Sequence, residues 1–239
     1  MTDVWPVGTK PLSQWMIEDT YGAGRPDWDA SGATFVTGVA PFEWAKLRML
    51  NSAHSALAVL GYLAGYETVA EAMATPNLTE LARGLMLDEA APTLPRLSGL
   101  GIAGYTESLL NRFRNPALYH RTWQVATDSS QKLPQRVQDR LAARAPFGRL
   151  ALGIAGWMRY VMGTDERGRP IDVRDPLAAS LRDQAVSPPA SVVHGLLRIE
   201  PMFGTKLSVN AAPRHALAVS ATVLLQRGAA ATTVDLCDR

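Results

Sequence analysis

The sequence predicts a mainly α-helical fold: an irregular multi-helix body over residues 41–239, entered through a short extended lead-in over residues 1–40. Three observations carry this. From Pro41 onward, stretches rich in Ala, Leu, Arg and Met recur, with Pro, Gly or Asn at nearly every junction. No run of alternating strand-like and helix-like segments occurs, so a parallel α/β sheet has no basis in the pattern. And 239 residues at 47% hydrophobic composition suffice for a sizeable core.

The lead-in is rich in Gly, Pro, Trp, Asp and Thr, as in Tyr21-Gly-Ala-Gly-Arg-Pro26, and carries no helical period. Its candidate strands are Gln14–Glu18 and Thr34–Thr37. Pro41 suits a first helical position and Glu43 a first turn, opening a helix that runs to Leu63. Further helices are expected at Thr68–Met73, Leu78–Glu89, Tyr105–Phe113, Ala117–Thr127, Pro134–Ala143, Leu150–Val161, Pro176–Ala185, Ser191–Ile199 and Ala211–Gln226. Ala91–Pro95 and Ser187-Pro-Pro189 read as loops, and no internal repeat at solenoid spacing occurs.

Lys and Arg number 24 against 22 Asp and Glu, a net charge of +2, which gives no bulk reason to expect nucleic acid or an anionic membrane as partner. The single cysteine, Cys237, excludes an intramolecular disulfide framework and a Cys-rich zinc site. Four histidines, none paired at metal-ligand spacing, leave little for a metal centre, and none is expected. Met1–Lys10 lacks an apolar signal core, and the longest apolar stretch, Ala56–Tyr66, is too short to span a bilayer, so a cytoplasmic protein is the expectation.

Three segments carry chemical signals. Gly99-Leu-Gly101-Ile-Ala-Gly104 matches the dinucleotide pattern G-x-G-x-x-G, which works only between a strand and a helix. The preceding Ala91–Ser98 holds two prolines and no β-branched run, so a loop is the expected reading. The second signal is Lys46-x4-Asn51-x2-His54 within the first long helix. At about 100° per residue, Glu43, Lys46, Asn51 and His54 lie within an arc of about 140°. Ala58, Gly61 and Gly65 on that side are small and would leave room for a ligand, whereas Met49, Ala56, Val59, Leu60 and Leu63 can bury on the other. Spacing alone leaves a solvated face with a satisfied histidine as the alternative. The third is the polar run Thr127–Arg136, ending around Pro134, whose cations Lys132 and Arg136 could hold an anionic group at a loop-to-helix junction; a solvated N-cap on Asp128 or Ser129 is the competing reading.

The segment Pro41-Phe-Glu43-Trp-Ala-Lys46-Leu-Arg-Met-Leu-Asn51-Ser-Ala-His54-Ser resembles the catalytic signature of the mannitol dehydrogenase family, polyol-specific long-chain dehydrogenases that use no metal. The resemblance runs along nearly the whole chain: Pro11–Asp19, Gly24-Arg25-Pro26, Gly61–Gly65, Arg112–Pro116 and the Asp128–Arg136 segment. It implies that the chain is the helical C-terminal domain of a two-domain dehydrogenase. The matching roles are Lys46 as general acid/base, Asn51 and His54 as hydrogen-bond donors to the reacting oxygen, Glu43 beside the base, and Lys132 in contact with substrate. Leu118–Gln124 followed by Gln131–Arg136 looks most like the fructuronate reductase (mannonate oxidoreductase) branch, although Asp128-Ser129 stands where Asp-Gly is the family pattern. The resemblance further implies NAD, bound mainly by a Rossmann domain that this chain does not contain and that a separate chain could supply. The partner is then a small sugar acid or polyol. Two functions remain at the level of sequence: an oxidoreductase domain acting on fructuronate or, alternatively, mannitol, and a non-catalytic helical binding or oligomerisation module.

Overall fold

A computed structural model of the chain describes residues 14–96, 99–134, 146–185, 188–200, 202–203 and 210–237. Residues 1–13, most of the helix expected over Pro134–Ala143, and with it Arg136, lie outside the described residues.

The lead-in forms a two-stranded parallel sheet. Strand β1 (Trp15–Glu18) pairs with β2 (Ala33–Val36) in the register Trp15↔Ala33 to Glu18↔Val36. The crossover includes a 3-10 turn at Trp28–Ser31, closed by Gly32 at φ 93°. These strands sit within a residue of the expected ones. A ring cluster decorates them: Trp15 stacks on Trp28 at 5.7 Å, Tyr21 meets Trp28 edge-on at 6.5 Å, and the Arg25 guanidinium lies 4.0 Å above Phe35. Among the described residues of the lead-in only Ala33 is buried, and Trp15, Tyr21 and Trp28 are each 40% exposed or more.

The body is helical, as expected. Helix α1 (Ala40–Ala45) continues without a break through a π segment (Lys46–Asn51) into α2 (Ser52–Leu63). Then follow α3 (Val69–Met73), α4 (Pro76–Gly84), a second π segment (Leu85–Ala90), α5 (Ile102–Arg114), α6 (Thr122–Val125), and a helix over 129–134, here α7. After these come α8 (Gly148–Val161), α9 (Ala178–Gln184), α10 (Pro189–Leu197) and a C-terminal helix over Ala211–Cys237, kinked at Gly228. Helices α2 and α8 form the centre, with Leu57, Leu60, Leu152, Ile154 and Trp157 at most 1% exposed. Gly153 and Gly156 let α8 lie directly on α2: a Cβ at Gly153 would stand 2.9 Å from Ala56 Cβ, and one at Gly156 2.8 Å from Leu60 Cδ2.

Local chemistry explains the boundaries. Thr68 and Glu71 form a reciprocal capping box at α3. Helix α8 starts on a buried carboxylate, since Glu89 accepts from the backbone N–H of Arg149 at 2.6 Å and of Leu150 at 3.0 Å. Two expectations are corrected. The helix expected at Ala117–Thr127 is instead a 3-10 turn (Pro116–Leu118), a left-handed Tyr119 (φ 43°) and the short α6, because Asn115 caps the turn at Ala117 N–H and the Thr122 hydroxyl donates to the carbonyls of Tyr66 and Glu67. The expected helix start at Pro134 lies earlier, at 129, because the Asp175 carboxylate accepts from Ser130 N–H at 2.8 Å across 45 residues.

Candidate active site

The α1–π–α2 rod carries the sequence-derived candidates. Glu43 and Lys46 are exposed, while Asn51 and His54 are half-buried. In a regular α-helix positions 46 and 51 would stand about 140° apart. The chain adopts i→i+5 hydrogen bonding between Lys46 and Asn51, so residue 51 lies nearly above residue 46, as i and i+4 do in an α-helix. His54 follows three residues into α2, on the same face as Asn51. The π turn therefore narrows the arc that regular helical spacing gave. Side chains hold the widened turn: the Ser52 hydroxyl donates to the Leu47 carbonyl at 3.3 Å, and Arg48 donates to the Thr93 carbonyl at 2.6 Å.

The opposite face behaves as the pattern predicted, with Met49, Ala56, Val59, Leu60 and Leu63 buried. The expected space beside Ala58 and Gly61 is corrected. Ala58 is fully buried, and a Cβ at Gly61 would meet Ala72 Cβ at 3.0 Å and Thr122 Cγ2 at 3.4 Å. Those small residues admit neighbouring helices, not a ligand. Gly65, at φ 92°, ends α2 with its N–H on the Tyr62 carbonyl.

His54 is framed by rings. Phe113 of α5 stacks on it at 5.1 Å with the planes 17° apart, and His120 lies 5.3 Å away, tilted by 46°. Neither neighbour stands among the sequence-derived site candidates, although Phe113 and His120 lie in the resembling segments Arg112–Pro116 and Leu118–Gln124. They come from a distant helix and an irregular loop, where no periodic signal marks them.

Lys132 sits in α7, not at a loop-to-helix junction. Its ammonium donates to the carbonyls of Val125 (3.4 Å) and Thr127, which fixes the charge at the C-terminal end of α6. Helices α2 and α7 share the walls of a small cavity of about 20 Å³ lined by Ser52, Ser55, Ser129, Leu133 and Trp157. The departure at Ser129 is accommodated: the left-handed residue of this loop is Asp128 (φ 52°), while Ser129 opens α7 and its hydroxyl donates to the Ala126 carbonyl at 2.6 Å.

Of the three glycines, Gly99 and Gly101 precede α5 and Gly104 lies in its first turn. Gly99 is left-handed at φ 79°, Gly101 caps α5, and the described residues 91–96 before them form a 3-10 turn (Ala91–Thr93) and three residues outside any helix or strand. With no strand among residues 91–96 ahead of the first glycine, the described residues do not build the phosphate cradle of a dinucleotide site. Burial raises the Tyr105 phenol, at the next turn of α5, against a lowering influence of Arg112.

The described body is helical and carries a lysine, an amide and an imidazole along one π-widened rod, within the segment that bears the family resemblance. The chain belongs to the mannitol dehydrogenase family: the mannitol dehydrogenase C-terminal domain matches residues 38–223. D-mannonate oxidoreductase of Escherichia coli (strain K12) is 46% identical over 232 residues, which cover 95% of this chain and 48% of that protein. Mannitol dehydrogenase 2 of Saccharomyces cerevisiae is 36% identical over 242 residues, 99% of this chain and 48% of that one. The structure of Pseudomonas fluorescens mannitol 2-dehydrogenase, a ternary complex with NAD and D-mannitol, superposes with a TM-score of 0.88 at 32% identity, covering 99% of this chain and 49% of that one. The chain thus spans about half the length of these relatives.

Proposed function

We propose that this chain is the substrate-side half of an NAD-dependent dehydrogenase that interconverts fructuronate and mannonate, with Lys46 as general acid/base. The observation that carries the reading is the π turn, which lines up Lys46, Asn51 and His54 along one face. NAD(H) supplies or accepts the hydride when bound. The described residues do not form its phosphate cradle, so its binding is assigned mainly to a Rossmann-type domain outside this chain. The lead-in supports that division, because a two-stranded parallel sheet with exposed rings lacks the cover that parallel sheets normally have on both faces. Residues 1–40 are then the boundary with that domain and 41–239 the substrate domain.

The chain's own residues divide the remaining work. During carbonyl reduction negative charge builds on the oxygen, and donors from Asn51 and His54 stabilise it without a metal. The Lys46 ammonium delivers the proton to that oxygen, and its amine removes it in the reverse direction. Glu43, three residues earlier on the same rod, stands beside the base. Lys132 offers a fixed cation for the substrate carboxylate, with Arg136 assisting. The mannonate oxidoreductase relative, at 46% identity, favours the sugar acid. A second reading, mannitol 2-dehydrogenase-type polyol oxidation, is favoured by the TM-score of 0.88 against the mannitol complex.

The test uses an enzyme completed with an NAD-binding domain. NADH oxidation is expected with fructuronate, with a lower rate on fructose. Lys132→Ala should raise KM for fructuronate more than for fructose. Turnover of fructose alone selects the second reading. Turnover of neither, in a folded two-domain protein, rejects catalysis and leaves a binding or oligomerisation module.

A further inference from the structure

We infer that His120 is a specificity-determining residue of the candidate site, placing an imidazole N–H against the carboxylate of a sugar-acid substrate while His54 meets the reacting oxygen. The inference rests on the proposed site at the α1–π–α2 rod, and it gives the carboxylate a hydrogen-bond donor in addition to the Lys132 cation.

The backbone that presents His120 is locked. Tyr119 holds a left-handed φ of 43°, which costs energy for a bulky residue and persists only where neighbours enforce it. Here they do: the Tyr119 hydroxyl donates to the Glu67 carboxylate at 2.9 Å, the His120 carbonyl accepts from Val69 N–H at 2.9 Å, and Arg121 bridges to Thr68. All of these anchors lie in the turn that follows α2 and at the start of α3. The strained residue therefore returns the chain onto the end of the rod that carries His54.

The two imidazoles stand 5.3 Å apart with their planes 46° from parallel. His54 has Phe113 stacked against it at 5.1 Å, a partner that supplies packing and no hydrogen bond. A second apolar ring would complete a packing sandwich; the half-buried ring that stands there instead is a nitrogen-bearing imidazole. An imidazole keeps at least one N–H in either protonation state. In fructuronate and mannonate the reacting carbon and the carboxylate stand near opposite ends of the carbon chain. Neighbouring donors on separate elements can therefore meet the two groups at once. A neutral polyol carries a hydroxyl where the sugar acid carries the carboxylate, so the second imidazole discriminates between them, because a hydrogen bond to an ionised acceptor is the stronger one.

The chain has four histidines, so imidazole NMR of the His-labelled full chain resolves the question directly. His194 and His215 line a separate groove with Arg214, between α10 and the C-terminal helix, and serve as internal controls. Titrated with sodium D-mannonate, the His54 and His120 signals should both move; with D-mannitol, His54 should move and His120 should stay. In a second measurement, His120→Phe keeps a ring against His54 and should weaken D-mannonate binding by about tenfold or more and D-mannitol binding far less, and His120→Gln should restore part of the loss. Equal weakening for both ligands, or a His120 signal that moves equally with both or with neither while His54 responds, overturns the inference and leaves the proposed site standing. If His54 moves with neither ligand, the site assignment and the inference fail together.

Discussion

Lys46 and Asn51 are five residues apart, an interval that separates side chains on an α-helix and aligns them on a π turn. The lysine is the group whose removal should matter most. In an enzyme completed with its NAD-binding domain, Lys46→Ala should lower kcat by about 10²–10⁴, the range for lost acid/base groups. Added primary amines should restore part of it. Asn51→Ala should cost about 10²–10³ as a lost oxyanion donor, with no recovery on adding amines. Steady-state kinetics on both variants check this, and near-normal kcat in Lys46→Ala would move the active site off this rod. At this scale the sequence showed the candidate groups but not their alignment. Regular helical spacing is blind to a π turn, whose supports, Ser52 on Leu47 and Arg48 on Thr93, are contacts rather than patterns. Equally, His120 and Phe113 lie in segments that carry the resemblance, but no spacing singles them out, since their meaning lies in the distance to His54.

Among the elements, those whose ends are fixed by near neighbours in the chain were the legible ones. The starts expected at Thr68 and Pro41 lay within about a residue of those observed, and both are fixed locally, by the Thr68–Glu71 capping box and by Pro41 at the head of α1. At α7 an end fixed from afar was missed, where the Asp175 carboxylate accepts from Ser130 N–H; the start of α8, held by Glu89 from 60 residues away, lay within two residues of expectation because its apolar run is legible. Two carboxylates yield predictions, one that holds a helix start from 60 residues away and one that closes a turn locally. Glu89 is 1% exposed and accepts the first N–H groups of α8. Glu89→Ala should therefore destabilise the chain by about 1–3 kcal/mol, and an unchanged urea midpoint would show that α8 does not depend on this cap. Asp165 closes the turn after α8. Its partial desolvation raises its pKa, but this is outweighed by hydrogen bonds from the Arg169 backbone and guanidinium and the Arg167 N–H, so the carboxyl sits below its ordinary value. The stabilisation is complete above the ordinary aspartate pKa of about 3.9 and is lost as pH falls from there through the folded value. Asp165→Asn should lower stability at neutral pH and flatten the wild-type acid dependence below about pH 4. A parallel shift at all pH values would mean that the turn draws nothing from the charge.

Taken as a whole, the molecule divides into a packed helical body and a sparsely packed lead-in. The body's centre, α2 against α8, buries nearly every apolar residue that the helical period assigns to it, and this is why the fold class was readable before the structure. The lead-in is different in kind: its rings, Trp15, Tyr21 and Trp28, pack mainly on one another and remain at least 40% exposed. Such a surface invites association. If a nucleotide-binding domain normally covers it, the chain alone should fold and yet behave as an incomplete enzyme. Isothermal titration of NADH into the purified chain should show no binding tighter than about 1 mM, on the order of −4 kcal/mol. Sedimentation velocity should show concentration-dependent self-association, and a Rossmann-type domain added in trans should suppress it and protect the tryptophan fluorescence from an aqueous quencher. Both measurements bear on one claim, that the lead-in is an interface and the dinucleotide site lies beyond it. Micromolar NADH binding by the chain alone would return the Gly99–Gly104 loop to consideration. A clean monomer with quencher-inaccessible tryptophans would make the lead-in a finished surface and remove the reason for placing a domain against it.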